Sequence, residues 1–456
     1  MNGPVPLPLD QVELSFRASG DELVRRSILT TGVRVLSERM AGARSATVGF
    51  WVAVGSRDET EGERGSTHFL EHLLFKGTET RSAFDISVAF ESVGGEHNAA
   101  TAKEYTCYYA KVRDVDLDMA VDVLADMVIS STLDEAEFEI ERGVILDELA
   151  MADDDAADVG SERLFESVFG DHPLGRPIGG SPDSIRQAKR DDVLRHYRAN
   201  YRPQDLIVTV AGAVDHDELV RRIEAALTRA GWPASAGTPV PRRSTAPAPF
   251  VQGEPVLVLP RPLEQATVLL GVPGLALTDP RRPVLSMLNA VLGGGMSSRL
   301  FQEIREKRGL AYSVYSFTPS YSDGGLFGLY AGCAPRNAPD VSRLLLDEFD
   351  RLAADGATSD ELERSLGMLG GAAALALEDS DTRMNRLGRA EISTGEFVDL
   401  DESLARLAAV TADDVQSLAA ELRAGVLSTV VVGDVDPALF DPSDVRPAAT
   451  TPPALP

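Results

Sequence analysis

The sequence of 456 residues lacks three features that would assign it to common classes of protein. Only two cysteines are present, Cys107 and Cys333, which excludes a disulfide framework and fits a reducing compartment. No apolar run approaches the roughly 20 residues that span a bilayer, and the first residues show no signal-peptide pattern. These absences predict a cytoplasmic protein in which both cysteines are small buried apolar residues.

The sequence is also poor in positive charge. Lys and Arg together number 44 against 71 Asp and Glu, which gives a formal net charge of −27. Such a chain repels phosphate backbones and anionic lipids, so we expect neither nucleic acid nor a membrane as partner, whereas basic peptides remain possible. Hydrophobic residues make up 43% and charged residues 25%, proportions that are ordinary for globular domains and exclude wholesale disorder.

Two halves with the same order of elements flank a stretch rich in Pro, Ala, Ser and Gly. This pattern predicts a first domain over 1–229, a linker over 230–254, a homologous second domain over 255–440 and a disordered tail over 441–456. Strand-like runs followed by paired helices indicate an α+β fold, a mostly antiparallel sheet with helices packed on one face of each domain. The principal helices are predicted at 66–75, 117–129, 134–151, 283–292, 338–353 and 359–377.

All six histidines lie in the first half, and two of them form a compact motif with a glutamate. His68, Glu71 and His72 stand in the order His-x-x-Glu-His on a predicted helix. Residues i and i+4 share a helix face, so both imidazoles can bind one metal ion, and the glutamate between them can act as general base towards water. This is the inverted zinc-protease motif. For His172 we expect only a structural role.

A catalytic zinc site usually takes three protein ligands and keeps one position open. The best source of a third ligand is the predicted helix over 134–151, with a capping box formed by Thr132 and Glu135. It carries Glu141 and Glu148, seven residues apart on one face. Most helix carboxylates are solvated surface charges, so the residues alone do not decide between these two.

Residues 65–78 closely resemble the zinc helix of the pitrilysin/insulinase metallopeptidases, and within them are most similar to the β subunit of mitochondrial processing peptidase and its bacterial relatives. Residues 141–148 continue the resemblance. It implies that Glu148 is the third zinc ligand and that Glu141 is an accessory acid that supports the site.

Two further stretches are similar to segments of the same family. Residues 94–101 resemble an edge strand that pairs with the substrate backbone, which implies that Asn98 and Ala99 bind substrate. In the second half, Arg305 and Tyr312 are seven residues apart, as in the family pair that reaches the scissile region and assists catalysis. Both side chains are donors suited to an oxyanion.

The resemblance implies a zinc metalloendopeptidase with one zinc ion per chain, acting on peptides in extended conformation. It further implies two domains that face each other as half of a clamshell, and a homodimer. Two alternatives remain: a catalytically silent peptide-binding or assembly subunit, which typically loses motif residues, and a structural zinc site, which usually has four protein ligands.

Overall fold

A computed structural model describes residues 3–232, 235–246 and 251–440. Its strands are β1 (Val5–Pro6), β2 (Glu13–Arg17), β3 (Leu23–Ile28), β4 (Arg34–Arg39), β5 (Ser45–Val52), β6 (Glu96–Thr101), β7 (Thr106–Arg113), β8 (Leu206–Gly212), β9 (Val256–Pro260), β10 (Ala266–Gly274), β11 (Ala311–Phe317), β12 (Gly325–Cys333), β13 (Glu396–Phe397) and β14 (Ser428–Gly433). The predicted tail over 441–456 and part of the predicted linker lie outside the described residues.

The six predicted helices are present within three residues at each end, and the structure adds eight further helices among the described residues. The helices are α1 (Ser66–Leu74), α2 (Ala83–Glu91), α3 (Leu117–Ser130), α4 (Glu135–Asp154), α5 (Ala156–Phe169), α6 (Pro182–Gln187), α7 (Arg190–Asn200), α8 (His216–Arg229), α9 (Arg282–Gly293), α10 (Ala338–Asp355), α11 (Ser359–Ala376), α12 (Ser380–Arg389), α13 (Leu400–Ala408) and α14 (Ala412–Ala424). Two short π-helical segments occur at Phe301–Glu306 and Ala390–Thr394. No helix among the described residues is long and apolar enough to cross a membrane.

The chain forms two compact units that interleave along the sequence. The first contains the described residues of 1–149, 177–243 and 372–402, and the second contains those of 150–176, 244–371 and 403–456. The predicted domain boundaries treat each domain as one continuous stretch of sequence, and these boundaries stay a prediction. Each unit includes one segment from the opposite half of the sequence.

The first unit is built on a seven-stranded sheet with the order β2-β3-β4-β8-β5-β7-β6. Only β4 and β8 run parallel, and the other neighbours are antiparallel. Helices α1, α3 and α8 enclose the main apolar core on one face of this sheet. Strand β6 lies at the sheet edge, as the sequence predicted for the segment that contains Asn98.

The opposite face of this sheet is covered by α12, from late in the chain, which packs on β4, β5 and β8. Trp51 is fully buried there and donates a hydrogen bond from Nε1 to Oγ1 of Thr209 at 2.8 Å. A Cβ atom at Gly388 would meet the Trp51 ring at 2.3 Å, so only glycine permits this close approach. Glu391 lies fully buried among three guanidinium groups, those of Arg26, Arg34 and Arg242.

The second unit has a five-stranded sheet with the order β11-β12-β10-β14-β9, in which only β14 and β9 are parallel. Helices α9, α10 and α14 cover one face, and α5 from the first half of the chain covers the other. Five strands of the first sheet, in the spatial order β4-β8-β5-β7-β6, correspond to the five strands of the second sheet, in the order β9-β14-β10-β12-β11. When each set is numbered along the chain, both have the order first, fifth, second, fourth, third. The predicted α+β fold with two homologous domains is thereby confirmed, with one additional helix on the second face of each sheet.

Candidate metal centre

Helix α1 presents two histidines on its partly exposed side. Its opposite side is anchored in the core by four fully buried residues, Phe69, Leu70, Leu73 and Leu74. His68 and His72 are one turn apart, and their ring centroids lie 4.7 Å from each other. Because the buried residues lie on the other side of the helix, both imidazoles project away from the core.

Glu148 on α4 completes a group of three potential ligands. Its Oε2 atom lies 3.7 Å from Nε2 of His68 and 3.4 Å from Nε2 of His72. The candidate ligand atoms of the three residues all lie within 4.8 Å of one another, and no other such group occurs among the residues that the structure describes. The Glu148 side chain is 54% exposed, so the group opens towards solvent.

Glu141 supports the same site from one face of α4. Its Oε2 atom lies 2.9 Å from Nδ1 of His72, and Nζ of Lys76 lies 2.6 Å from its other oxygen. A proton on Nδ1 of His72 is donated to this carboxylate, which leaves Nε2 unprotonated, with its lone pair free to bind a metal ion beside Glu148. The two glutamates, between which the residues alone did not decide, thus have different surroundings in the structure.

Burial favours the neutral form of His68, which is the form that binds metal. Burial lowers the pKa of its imidazole, and the neighbouring His72 lowers the pKa further, although the carboxylates of Glu148 and Glu71 act in the opposite direction. A neutral ring has a free lone pair, whereas an imidazolium has none.

Glu71 projects from α1 towards the edge strand β6. Its Oε2 atom accepts a hydrogen bond from Oγ1 of Thr101, the last residue of that strand. The sequence placed Thr101 in the substrate-strand motif but assigned it no contact with Glu71. The signal that could have identified it is its position, because alternate residues of β6 face inwards and Thr101 is one of them.

Asn98 and Ala99 lie in the middle of β6, with Asn98 exposed and Ala99 half-buried. The strand pairs on one side with β7, so Asn98 is opposite Tyr109 and Ala99 opposite Tyr108. Oδ1 of Asn98 accepts a hydrogen bond from the backbone N–H of Ala99 at 2.8 Å. The Asn98 side chain therefore already accepts a hydrogen bond from one main-chain N–H group of the edge strand.

Arg305 and Tyr312 lie together in the second unit. Arg305 donates from Nη1 to the backbone oxygen of Tyr312 at 2.8 Å, and its guanidinium lies 4.5 Å from the centre of the Tyr312 ring. A bulge in β11 leaves Tyr312 without a partner on β12 and its side chain 77% exposed. Bulges that re-aim a side chain are frequent beside active sites.

One local prediction on α4 was wrong. The helix is capped by Asp134, whose Oδ1 accepts hydrogen bonds from the backbone N–H groups of Ala136 at 2.8 Å and Glu137 at 3.3 Å, rather than by a box of Thr132 and Glu135. An aspartate at the last position before a helix competes well with a threonine two residues earlier.

The remaining histidines and both cysteines have structural surroundings. His97 stacks on Phe90 with 4.4 Å between ring centres, and Nδ1 of His172 accepts from the backbone of Leu174. His196 and His216 are buried and contact hydroxyl groups. Cys107 and Cys333 are buried and unbridged, and burial raises the pKa of both thiols, as expected for residues that only fill space.

Two imidazoles, a carboxylate and an adjacent glutamate on an inverted motif define a metallopeptidase type of site. The family profile described as Insulinase (Peptidase family M16) matches residues 34–181, and that described as Peptidase M16 inactive domain matches residues 187–369. A zinc protease of Streptomyces coelicolor, itself described as uncharacterized, is 49% identical over 411 residues, which cover 90% of this chain and 89% of that protein. The chain belongs to peptidase family M16.

Solved structures agree with this fold. A protease from Helicobacter pylori superposes with a TM-score of 0.80 at 22% identity, covering 94% of this chain and all of that chain (100%). A peptidase M16 inactive domain from Pseudomonas fluorescens gives a TM-score of 0.80 at 19% identity, covering 90% of this chain and 97% of that one.

Proposed function

We propose that this chain is a zinc metalloendopeptidase that hydrolyses extended peptides, with one zinc ion per chain. The observation that carries the proposal is the convergence of His68, His72 and Glu148 beside Glu71. A ligand set alone shows only that a metal ion can bind. The glutamate between the two histidines adds the proton acceptor that hydrolysis requires.

The three donors fit zinc. Two ligands about 2.0–2.1 Å from one tetrahedral ion are roughly 3.3 Å apart, close to the 3.4 Å between Nε2 of His72 and Oε2 of Glu148. Three protein ligands that open to solvent are typical of catalytic zinc, whereas structural sites are closed by a fourth ligand, often a thiolate. When bound, the ion would supply Lewis-acid polarisation and make water more acidic.

Glu71 has the proton-transfer role in this proposal. Its carboxylate accepts a proton from the attacking water and delivers it to the nitrogen of the leaving amine. Thr101 fixes one carboxylate oxygen by its hydrogen bond, which directs the other oxygen to the reacting water. Arg305 and Tyr312 are proposed to donate to the carbonyl oxygen as negative charge develops on it.

Edge strand β6 suits a substrate in extended conformation, because one side of the strand has no strand partner among the described residues. A peptide that added to this edge would hydrogen-bond to the main chain and place alternate side chains on opposite faces. Asn98 would release the Ala99 N–H group to that peptide. Folded proteins offer no free strand of this kind and would be poor substrates.

The deciding experiment uses a mixed peptide library, with cleavage read by mass spectrometry, for the wild type and for Glu71→Gln. We expect both proteins to bind zinc and only the wild type to cleave, with activity removed by chelator and restored by zinc. Glu79→Gln, an exposed glutamate after the same helix, is the matched control. Cleavage by Glu71→Gln at the wild-type rate contradicts the proposal.

The alternative of a catalytically silent subunit is less well supported, since His68, Glu71, His72 and Glu148 are all present. Zinc-loaded wild type that cleaves nothing in the library would favour it. The homodimer stays a prediction, and light scattering at assay concentration tests it.

A further inference from the structure

Helix α1 begins without a capping side chain of its own. The residue before it, Gly65, has a left-handed backbone with φ of 88°, and glycine has no side chain to accept from the first N–H groups. Glu59, six residues earlier, takes this place. Its Oε2 accepts from the N–H of Gly65 and its Oε1 from the N–H of Thr67, both at 2.8 Å.

The Glu59 carboxylate is only 4% exposed, so these contacts are made away from water. Charge-assisted hydrogen bonds of a buried carboxylate are stronger than those of a neutral cap. A negative charge at this position also lies at the positive end of the helix dipole. Both effects fix the backbone of the first turn of α1.

The side chain of Thr67 is fixed as well. Nδ2 of Asn200 lies 3.2 Å from Nδ1 of His196 and donates to it, which leaves the proton of His196 on Nε2, 3.3 Å from Oγ1 of Thr67. The residue immediately before His68 is therefore held through both its backbone and its hydroxyl group.

We propose that Glu59 is a positioning residue for the metal centre: its carboxylate fixes the first turn of α1 and thereby the direction of the His68 ring. The inference rests on the proposed zinc site. His68 is the third residue of the helix, so a frayed first turn would turn its Nε2 away from His72 and Glu148, whereas His72 lies one turn deeper. Groups that orient metal ligands commonly affect affinity by 10–100-fold.

The test compares the zinc affinity of the wild type with that of Glu59→Gln, by competition with a chromophoric chelator under conditions where both proteins are folded. A glutamine offers one acceptor oxygen and places its NH₂ group against the second N–H, so we expect zinc binding about 10-fold weaker. Hydrogen exchange of the amides of residues 65–68 in the metal-free protein should be faster. A role in global stability alone would shift the unfolding midpoint without changing the affinity of the folded protein.

Glu61→Gln is the matched control, because Glu61 is an exposed residue of the same loop and should leave affinity and exchange unchanged. Should Glu59→Gln fail to fold, Glu59→Asp decides, since it keeps the charge but is too short to reach both N–H groups. Wild-type affinity in the folded variant overturns the inference. A wild type that binds no zinc overturns the proposed function instead, so the two failures are distinguishable.

Discussion

Nδ1 of His72 lies 2.9 Å from Oε2 of Glu141, a carboxylate that is only 2% exposed. This pair explains how one helix supplies both a ligand and its support. Glu148 extends from α4 towards solvent, whereas Glu141, two turns earlier, is directed into the interior against the far side of the His72 ring.

Replacing Glu141 with Gln should weaken zinc binding by about 10-fold, because the amide is a poorer acceptor for the His72 proton and leaves Lys76 without its charge partner. Chelator competition measures this change. Glu135→Gln, an exposed position at the start of the same helix, should behave as wild type. Equal affinities of the Glu141 variant and the wild type would contradict the support role.

Thr101→Val should lower kcat for peptide cleavage by roughly 10-fold with little change in KM or zinc content, because Glu71 loses the hydrogen bond that orients its carboxylate. Steady-state kinetics on a quenched peptide drawn from the library measures both constants. Thr101→Ser keeps the hydroxyl group and should recover most of the rate. A serine variant as slow as the valine variant would indicate that the methyl group, and not the hydrogen bond, matters.

Tyr312→Phe should lower kcat by roughly 100-fold while zinc affinity stays at the wild-type value, since the proposed donor to the oxyanion is removed without a change at the metal ligands. The matched control is Tyr315→Phe, a tyrosine on the same strand that is 42% exposed. If both variants cleave at equal rates, Tyr312 has no special role.

The stability of the first unit should fall as the pH drops from about 6.5 towards 4. Burial, followed by the positive charge of Arg25, lowers the pKa of His216 from 6.5 to about 4, while Glu13, Asp217 and Asp215 act in the opposite direction. Between these pH values the unfolded chain binds a proton that the folded protein does not, so the free energy of unfolding falls by about 3 kcal/mol over this window. Above about pH 6.5, His216 does not change the free energy of unfolding.

Denaturant unfolding at pH 7 and pH 5 measures the effect, and His216→Gln provides the comparison. The variant cannot titrate at this position, so its midpoint should change less between the two pH values. Its absolute stability is expected to be lower, because Ser27 and Ser37 lose hydrogen-bond partners at 2.9 and 2.8 Å. The same pH dependence in variant and wild type would assign the acid sensitivity to other groups.

Glu391→Gln should destabilise the protein by roughly 3–5 kcal/mol, because the buried guanidinium groups of Arg26 and Arg34 and the partly exposed one of Arg242 would lose their shared carboxylate. Thermal or denaturant unfolding measures the loss. Glu396→Gln, at an exposed position a few residues later, is the control. A variant as stable as the wild type would show that Arg26, Arg34 and Arg242 are neutralised by other contacts.

The sequence by itself determined six long helices and the repeated order of elements in the two halves, because apolar periodicity is a local property that each segment carries in its own residues. It also determined the pairing of His68 with His72, which depends only on the geometry of one helix. The different roles expected for Glu141 and Glu148 came from family resemblance, since two glutamates seven residues apart look alike in sequence.

Only the tertiary structure decided which groups meet over long separations in the chain. Glu59 reaches the start of α1 through a loop, Thr101 reaches Glu71 across a sheet edge, and α12 covers a sheet whose seven strands all come from the first half. Such contacts arise from packing among distant segments, and a loop carboxylate or a strand hydroxyl has no periodic pattern that would reveal its partner. The same reason explains why Asp134 and not Thr132 caps α4: the choice depends on the path of the chain into the helix.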